Sequence, residues 1–168
     1  RGGPGLGGIQ PSQSDYWQAT KALGHGDFQL LVFAPATVQE IVNLMGTAFD
    51  LAEKYRMPAL ILADGMLGQM MEPVEFPEKK TELSARPWAT TGTKEKRKPN
   101  IINSLYLKPD ELERTVVERF KRYDVIKENE VRVEEYLTED AEYIVVAYGA
   151  TARVVRSAVE SARAQGIK

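Results

Sequence analysis

The chain has 168 residues, 43% of them hydrophobic, which suits one compact domain or slightly more. Its net charge of -2 gives no electrostatic support for binding nucleic acid or an anionic membrane, and no apolar run is long enough to span a bilayer. With no cysteine and one histidine, the chain itself carries no disulfide, thiolate nucleophile, cysteine-held iron–sulfur cluster or histidine-rich metal site.

A glycine-rich stretch opens the sequence: residues 1–8 read Arg-Gly-Gly-Pro-Gly-Leu-Gly-Gly. A backbone with so few Cβ atoms can pack closely around a ligand, and the guanidinium of Arg1 can grip a carboxylate or phosphate through paired hydrogen bonds. The stretch also contains a G-x-G-x-x-G pattern, but without a preceding strand. Three interpretations stay open: a loop that receives a cofactor or substrate, a packing loop, and a phosphate-binding loop. The abrupt start predicts that the chain is a fragment.

A βαβ unit is predicted next. Residues 30–34 and 59–63 are short continuous apolar runs, typical of buried parallel strands. Between them, Thr37 and Glu40 form a capping box that predicts a helix ending near Pro58. We expect its apolar stripe to face the core: Val38, Ile41, Val42, Met45, Phe49 and Ala52. The fold class is therefore α/β, with parallel strands joined by a right-handed crossover.

Residues 66–104 show no hydrophobic period and contain several prolines, which predicts a long surface loop whose charge run, residues 94–98, is interpreted as solvated. A second capping box, Asp110 with Glu113, predicts another helix. Its apolar residues are Leu112, Val116, Val117, Phe120 and Tyr123. Residues 131–136 are compatible with helix or strand.

The last part of the chain predicts strand, glycine turn and helix. Residues 143–147 are a third apolar run, Gly149 makes the turn, and residues 151–165 form a helix that Gly166 caps. The residues expected to face inward are Val154, Val155, Ala158, Val159 and Ala162. We assign residues 1–108 to a first domain, residues 109–138 to a helical linker, and residues 139–168 to the start of a second α/β domain.

Other site candidates are weaker. His25 lies in a loop, where a solvated residue and a site residue of near-neutral pKa are both open interpretations. Asp64 follows a predicted parallel strand, where open α/β sheets bind ligands, but Asp-Gly is also a common turn. Methionines 66, 70 and 71 are expected to seal a loop, with an apolar substrate pocket as the alternative. Tyr16 and Trp17 are expected to anchor a short helix.

The sequence contains no G-x-S-x-G, P-loop or H-E-x-x-H motif, and no evident metal site. We therefore expect no catalytic residue within this chain.

Several motifs together resemble the alpha subunit of 2-oxoacid:ferredoxin oxidoreductases, over nearly the whole length. The segments that carry the resemblance are residues 1–7, 13–15, 25–27, 34–37, 62–68 and 141–149. The Gly-Leu-Gly of residues 5–7 and the Gly-Gln-Met-Met-Glu-Pro of residues 68–73 resemble the branched-chain type, which acts on 3-methyl-2-oxobutanoate.

The resemblance implies a thiamine-diphosphate enzyme that decarboxylates a 2-oxoacid, gives acyl-CoA from coenzyme A and sends electrons to ferredoxin. It implies a pyrimidine-type thiamine domain, incomplete at its N-terminus, followed by the start of a transketolase C-terminal-like domain. The diphosphate, Mg²⁺ and iron–sulfur clusters would be held by a beta subunit and other partners, with gamma and delta subunits expected. The location expected is cytoplasmic.

In that family, Arg1 matches an arginine thought to bind the 2-oxoacid carboxylate, and Gly2, Gly3, Pro4 and Gly5 would lie near the cofactor. The glutamate that activates the aminopyrimidine would lie upstream of Arg1. Two other function classes stay open: a Rossmann-like module that binds a nucleotide or acyl-CoA without a redox role, and a structural subunit whose thiamine site has decayed.

Overall fold

The computed structural model describes residues 14–21, 27–78 and 85–168. Its elements, in chain order, are helix α1 (Ser14–Thr20), strand β1 (Leu31–Phe33), helix α2 (Val38–Tyr55), strand β2 (Ala59–Ile61), a 3₁₀ turn (Leu67–Gln69), helix α3 (Pro109–Asn129) and helix α4 (Ala150–Ala164). Two compact units are present: residues up to Pro77 group with Arg132–Lys168, and Glu78–Val131 form the other. No helix in the described ranges combines the length and apolar character needed to cross a bilayer.

The first unit is built on a two-stranded parallel sheet. Strand β1 pairs with β2 in the register that sets Leu31 beside Ala59 and Phe33 beside Ile61. Helix α2 connects the strands and contacts both, so the predicted α/β class and βαβ unit are confirmed. The strands are shorter than the apolar runs because regular pairing holds over three residue pairs.

The start of α2 follows the predicted capping box with one difference. The Thr37 hydroxyl accepts a hydrogen bond from the Glu40 N–H at 3.0 Å, as expected. The Glu40 carboxylate accepts from the Ala36 N–H at 2.6 Å instead of from Thr37. The helix ends at Tyr55, with Arg56 in the left-handed region at φ 51°.

The buried face of α2 differs from the predicted stripe. Ala48, Leu51 and Tyr55 are buried, whereas Met45 and Phe49 are 47% and 67% exposed. The apolar residues of α2 occupy a wider arc than a two-stranded sheet can cover, so spacing alone did not identify the covered strip.

Helix α1 is held by a small residue. Ala19 is 4% exposed, whereas Tyr16 and Trp17 are 44% and 60% exposed, so the prediction that these aromatic side chains anchor the helix is wrong for Trp17. The Tyr16 ring instead lies 6.3 Å from the ring of Tyr148. Small residues can come closer to a neighbouring surface than aromatic ones, which explains this choice.

In the second unit, α3 confirms the predicted helix but not its cap. The helix starts at Pro109, after Lys108 as N-cap, and no side chain caps it. Proline suits the first helical position because its missing N–H has no intrahelical partner there. Asp110 therefore lies in the first turn, where its charge still favours the helix N-terminus. Residues 131–136 are neither helix nor strand.

The predicted loop is confirmed over residues 70–78 and 85–104, which contain no helix or strand, whereas its start contains the 3₁₀ turn Leu67–Gln69. It is nevertheless tied together locally. The Arg97 guanidinium donates to the carbonyls of Ala89 and Gly92 at 3.2 and 3.1 Å. One cation of the charge run thus closes a turn instead of pointing only to solvent.

The third predicted strand is absent. Residues 143–147 form no strand, and Val145 and Val146 are 61% and 91% exposed. Near the start of this run, the amides of Glu142 and Tyr143 donate to the Lys168 carbonyl at 3.0 and 3.1 Å. A strand needs a partner strand, and the sheet of the described residues pairs β1 with β2 alone.

Helix α4 and its cap confirm the prediction. The amides of Gly166 and Ile167 donate to the carbonyls of Arg163 and Ala162, which is a Schellman motif with Gly166 at φ +81°. The expected inward face is only partly right: Val154 is 69% exposed and Ala158 is also exposed. Val155, Val159 and Ala162 are half-buried.

Candidate functional site

The candidate site is the edge of the sheet at the carboxyl ends of β1 and β2, together with residues 62–72, the loop that follows β2. Ligands of open α/β sheets bind outside this edge. Of the predicted site residues, Asp64 lies here. Arg1, Gly2, Gly3, Pro4, Gly5 and His25 lie outside the described residues.

Asp64 joins this loop to the start of α4. Its Oδ1 accepts from the Leu67 N–H at 2.7 Å, and its Oδ2 accepts from the Ala150 N–H at 2.6 Å. Ala150 is the first residue of α4, so the carboxylate satisfies an amide that has no intrahelical partner and lies at the positive end of the helix dipole. Asp64 is therefore both a turn residue and a long-range link.

Gly149 makes the link to Asp64 possible. A Cβ at this position would lie 2.7 Å from Asp64 Oδ2 and 3.9 Å from the carbonyl oxygen of Pro35. The backbone has φ 65° and ψ -154°, a region that residues with a side chain rarely adopt. The predicted glycine turn is thus required by both conformation and space.

Glu72 makes a similar link at the start of α2. Its Oε2 accepts from the Val38 N–H at 3.0 Å, and its Oε1 accepts from Arg153 Nη1 of α4 at 2.7 Å. The Val38 hydrogen bond, followed by the Arg153 hydrogen bond, holds the pKa of Glu72 below its ordinary value. Two carboxylates of one loop thus bind the N-terminal turns of the two long helices in this unit.

The methionines of this loop divide between two environments. Met70 is half-buried and its sulfur lies 3.5 Å from Arg153 Nη1, whereas Met66 and Met71 are 59% and 98% exposed. Leu67, 1% exposed, is the residue that seals the loop. The expectation that all three methionines seal it is therefore wrong for Met66 and Met71.

A second concave region lies on the sheet face where α1 is found. It is an open cleft of about 320 Å³. Its lining is mainly apolar and comprises Asp15, Gln18, Ala19, Phe28, Leu30, Leu60 and Leu62. Leu60 of β2 and Leu62 directly after it lie two residues apart, so the cleft uses one face of this extended segment.

The two carboxylates at this edge of the sheet are engaged in hydrogen bonds within the protein. The carboxylate oxygens of Asp64 and Glu72 all accept hydrogen bonds from backbone amides or from Arg153. The described ranges contain no cluster of His, Cys, Asp and Glu that could hold a metal ion. This loop therefore offers a ligand its exposed side chains, while its two carboxylates are already engaged.

Sequence reasoning did not single out Glu72 or Arg153, or the contact between Gly149 and Asp64. These residues meet across more than 80 positions of sequence, so no local period could reveal them. The one available signal was the position of Glu72 directly before Pro73, at the end of the loop after a predicted strand.

Comparison with known proteins points to one family. Residues 1–148 match the family described as pyruvate flavodoxin/ferredoxin oxidoreductase, thiamine-diphosphate-binding. The chain is 51% identical to ketoisovalerate oxidoreductase subunit VorB of Methanothermobacter marburgensis, over 100% of the chain and 48% of the relative. It is also 51% identical to VorB of Methanothermobacter thermautotrophicus, over 99% of the chain and 47% of the relative.

A more distant relative is 2-oxoglutarate synthase subunit KorA of Methanothermobacter marburgensis, 30% identical over 100% of the chain and 52% of the relative. The chain thus spans about half the length of the curated relatives it matches. No solved structure matches it significantly.

Proposed function

Because this chain belongs to the pyruvate flavodoxin/ferredoxin oxidoreductase family, through its thiamine-diphosphate-binding domain, we propose that it is part of the alpha subunit of a 2-oxoacid:ferredoxin oxidoreductase. The substrate proposed is 3-methyl-2-oxobutanoate, since relatives named for ketoisovalerate share 51% of residues with the chain, against 30% for a relative named for 2-oxoglutarate. That difference over the full chain is the observation that carries the proposal.

The described residues fit one side of a thiamine site. When bound, thiamine diphosphate supplies the nucleophilic carbon for decarboxylation of a 2-oxoacid. The edge formed by the loop after β2 is fixed by the Asp64 and Glu72 links and carries exposed apolar side chains, which suits a site for a largely apolar ligand. We assign the diphosphate and Mg²⁺ site to another subunit of the complex.

The role proposed for Arg1 is to hold the carboxylate of the 2-oxoacid through two parallel hydrogen bonds. Such a grip would fix the keto carbon against the cofactor and so lower the entropic cost of reaction. The residues Gly2, Gly3, Pro4 and Gly5 would let the backbone approach the same ligand closely.

The remaining components come from partners. Beta, gamma and delta subunits would hold the iron–sulfur clusters, coenzyme A would accept the acyl group, and ferredoxin would accept the electrons. The absence of cysteine from this sequence supports cluster binding elsewhere in the complex. The family match does not support the alternative of a nucleotide-binding module without a redox role. A cytoplasmic location stays a prediction.

The test is a reconstitution of the full-length subunit with its partner subunits. We expect 3-methyl-2-oxobutanoate and coenzyme A to reduce ferredoxin only when thiamine diphosphate and Mg²⁺ are added, with release of CO₂ and acyl-CoA. Reduction that is independent of thiamine diphosphate, or binding of NAD with indifference to thiamine diphosphate, would contradict the proposal.

A variant sharpens the test. Arg1→Ala should raise the KM for the 2-oxoacid by about 100-fold, as expected for loss of a charge-assisted bidentate pair, and leave the KM for coenzyme A nearly unchanged. Arg1→Lys, which keeps the charge and loses the paired donors, serves as the matched control. Its KM for the 2-oxoacid should lie between those of the wild type and Arg1→Ala. Equal increases in both KM values would refute the carboxylate role.

A further inference from the structure

Two apolar side chains project from the loop after β2 at the edge where ligands bind. Met66 is 59% exposed and Met71 is 98% exposed, although methionine usually fills gaps in a core. The loop does not need them for packing, because Leu67 already seals it at 1% exposure. A role outside the packing of this loop is therefore indicated for both side chains.

The loop presents these methionines from a fixed backbone. The Asp64 and Glu72 carboxylates bind amides at residues 150 and 38, which anchors both ends of the loop. Between the anchors, the amides of Gly68, Gln69 and Met70 donate to carbonyls of the same turn at 3.0–3.2 Å. A binding surface held by such bonds loses little conformational entropy when a ligand arrives.

The charges around the methionines favour an uncharged ligand group. Asp64 has both oxygens occupied by amides, and Glu72 is paired with Arg153, the basic group that bonds into this loop. A second carboxylate, such as the far end of 2-oxoglutarate, would find no unpaired cation among residues 64–72, the described part of this rim. A hydrocarbon end would lose no hydrogen bonds when it leaves water to bind at this rim.

We propose that Met66 and Met71 contact the branched hydrocarbon end of the 2-oxoacid and select it over smaller and dicarboxylic 2-oxoacids. The inference rests on the proposed function and deepens it, because it names the residues that determine specificity. Methionine suits the role, since its flexible thioether adapts to the shape of a branched chain.

The first experiment uses Met66→Gln and Met71→Gln in the complete complex. These changes keep the length of the side chain and remove its apolar end. We expect the ratio of kcat/KM for 3-methyl-2-oxobutanoate to that for pyruvate to fall about 10-fold for each substitution, the size of a few methylene contacts. Met45→Gln on α2, which is 47% exposed, is the matched control and should leave the ratio unchanged. An unchanged ratio in both loop variants would overturn the inference.

The second experiment is oxidation of the methionines by hydrogen peroxide, followed by mass spectrometry of the assembled complex without an electron acceptor. We expect 3-methyl-2-oxobutanoate to slow oxidation of Met71 and Met66 about fivefold or more relative to Met45, the internal reference that corrects for peroxide consumed by the free 2-oxoacid. Protection by the partner subunits alone, without substrate, would assign the methionines to a protein interface and overturn the inference. A wild-type complex without activity on any 2-oxoacid would instead refute the proposed function, so the two failures are distinguishable.

Discussion

Two five-residue apolar runs, residues 59–63 and 143–147, predict the same structure and have different fates. The first contains β2, which pairs in parallel with β1 and lies half-buried. The second forms no strand, and Val146 within it is 91% exposed. Both runs are followed by a glycine and a turn, so composition does not separate them.

The difference between the runs is a matter of neighbours. Residues 59–63 return beside β1 through α2, which covers the strands and brings the backbones into register. Residues 143–147 pair with no described strand, although Gly149, two residues after them, is fixed against Asp64. An apolar run therefore predicts that a segment can form a buried strand, but the strand forms only where a partner strand lies beside it.

The largest expected effect compares one buried position with one exposed position. Phe33→Ala in β1, where Phe33 is 8% exposed, should lower the free energy of unfolding by about 3–5 kcal/mol. Val146→Ala should change it by less than about 0.5 kcal/mol. Urea denaturation of the full-length subunit measures both. A similar loss for the two variants would break the comparison and show that residues 143–147 are buried in the complete protein.

The glycine that ends the second run gives the next effect. Gly149→Ala should cost about 1–3 kcal/mol of unfolding free energy, because the new Cβ meets Asp64 Oδ2 and the backbone stays at φ 65°. Gly46→Ala is the control of opposite sign: nothing lies within 4 Å of its new Cβ, and it should stabilise α2 by about 1 kcal/mol. Tolerance of Gly149→Ala at full stability would contradict the described contact.

Asp64→Asn probes the link from the other side. An amide has one oxygen, so it can accept from the Leu67 or the Ala150 N–H but not from both in the observed geometry. We expect a loss of about 1–2 kcal/mol in unfolding free energy. Thermal and urea denaturation should agree on the sign. Asp64→Asn with wild-type stability would mean that one of these bonds is absent in solution.

The smallest effect is a pH dependence at Glu72. Its pKa is lowered in the folded protein by the Val38 and Arg153 hydrogen bonds, so its contribution to stability is present above its unfolded pKa, ordinarily 4.5, and is lost as the pH falls through the lower folded pKa. The stability difference between wild type and Glu72→Gln should therefore be larger at neutral pH than in acid. A difference that grows as the pH falls would have the wrong sign.

Local signals in the sequence identified much of the fold. Thr37 marked the start of α2, Gly166 marked the end of α4, and the apolar runs marked β1 and β2, because each depends on residues a few positions apart. The Asp110 capping box failed because Pro109 already starts that helix. The buried strip of α2 could not be found from spacing, since its width depends on the sheet.

The candidate site was less accessible to such reasoning. The position of Asp64 after a strand was visible, and its bond to Ala150 was not, because that amide lies 86 residues away. The exposure of Met66 and Met71 depends on Leu67 filling the space beneath the loop, which is a three-dimensional fact. Resemblance to a family supplied the function, and the structure supplied the residues that shape the rim.

The account depends on the edge at the carboxyl end of β2 facing the thiamine cofactor, whereas the C-terminal end of α2, at the opposite edge of the sheet, does not. Hydrogen–deuterium exchange of the complete complex, with and without thiamine diphosphate, tests this most directly. We predict slower exchange at residues 64–72 on adding the cofactor and no change at residues 49–55. Unchanged exchange at residues 64–72, with protection appearing at residues 49–55, would contradict the account.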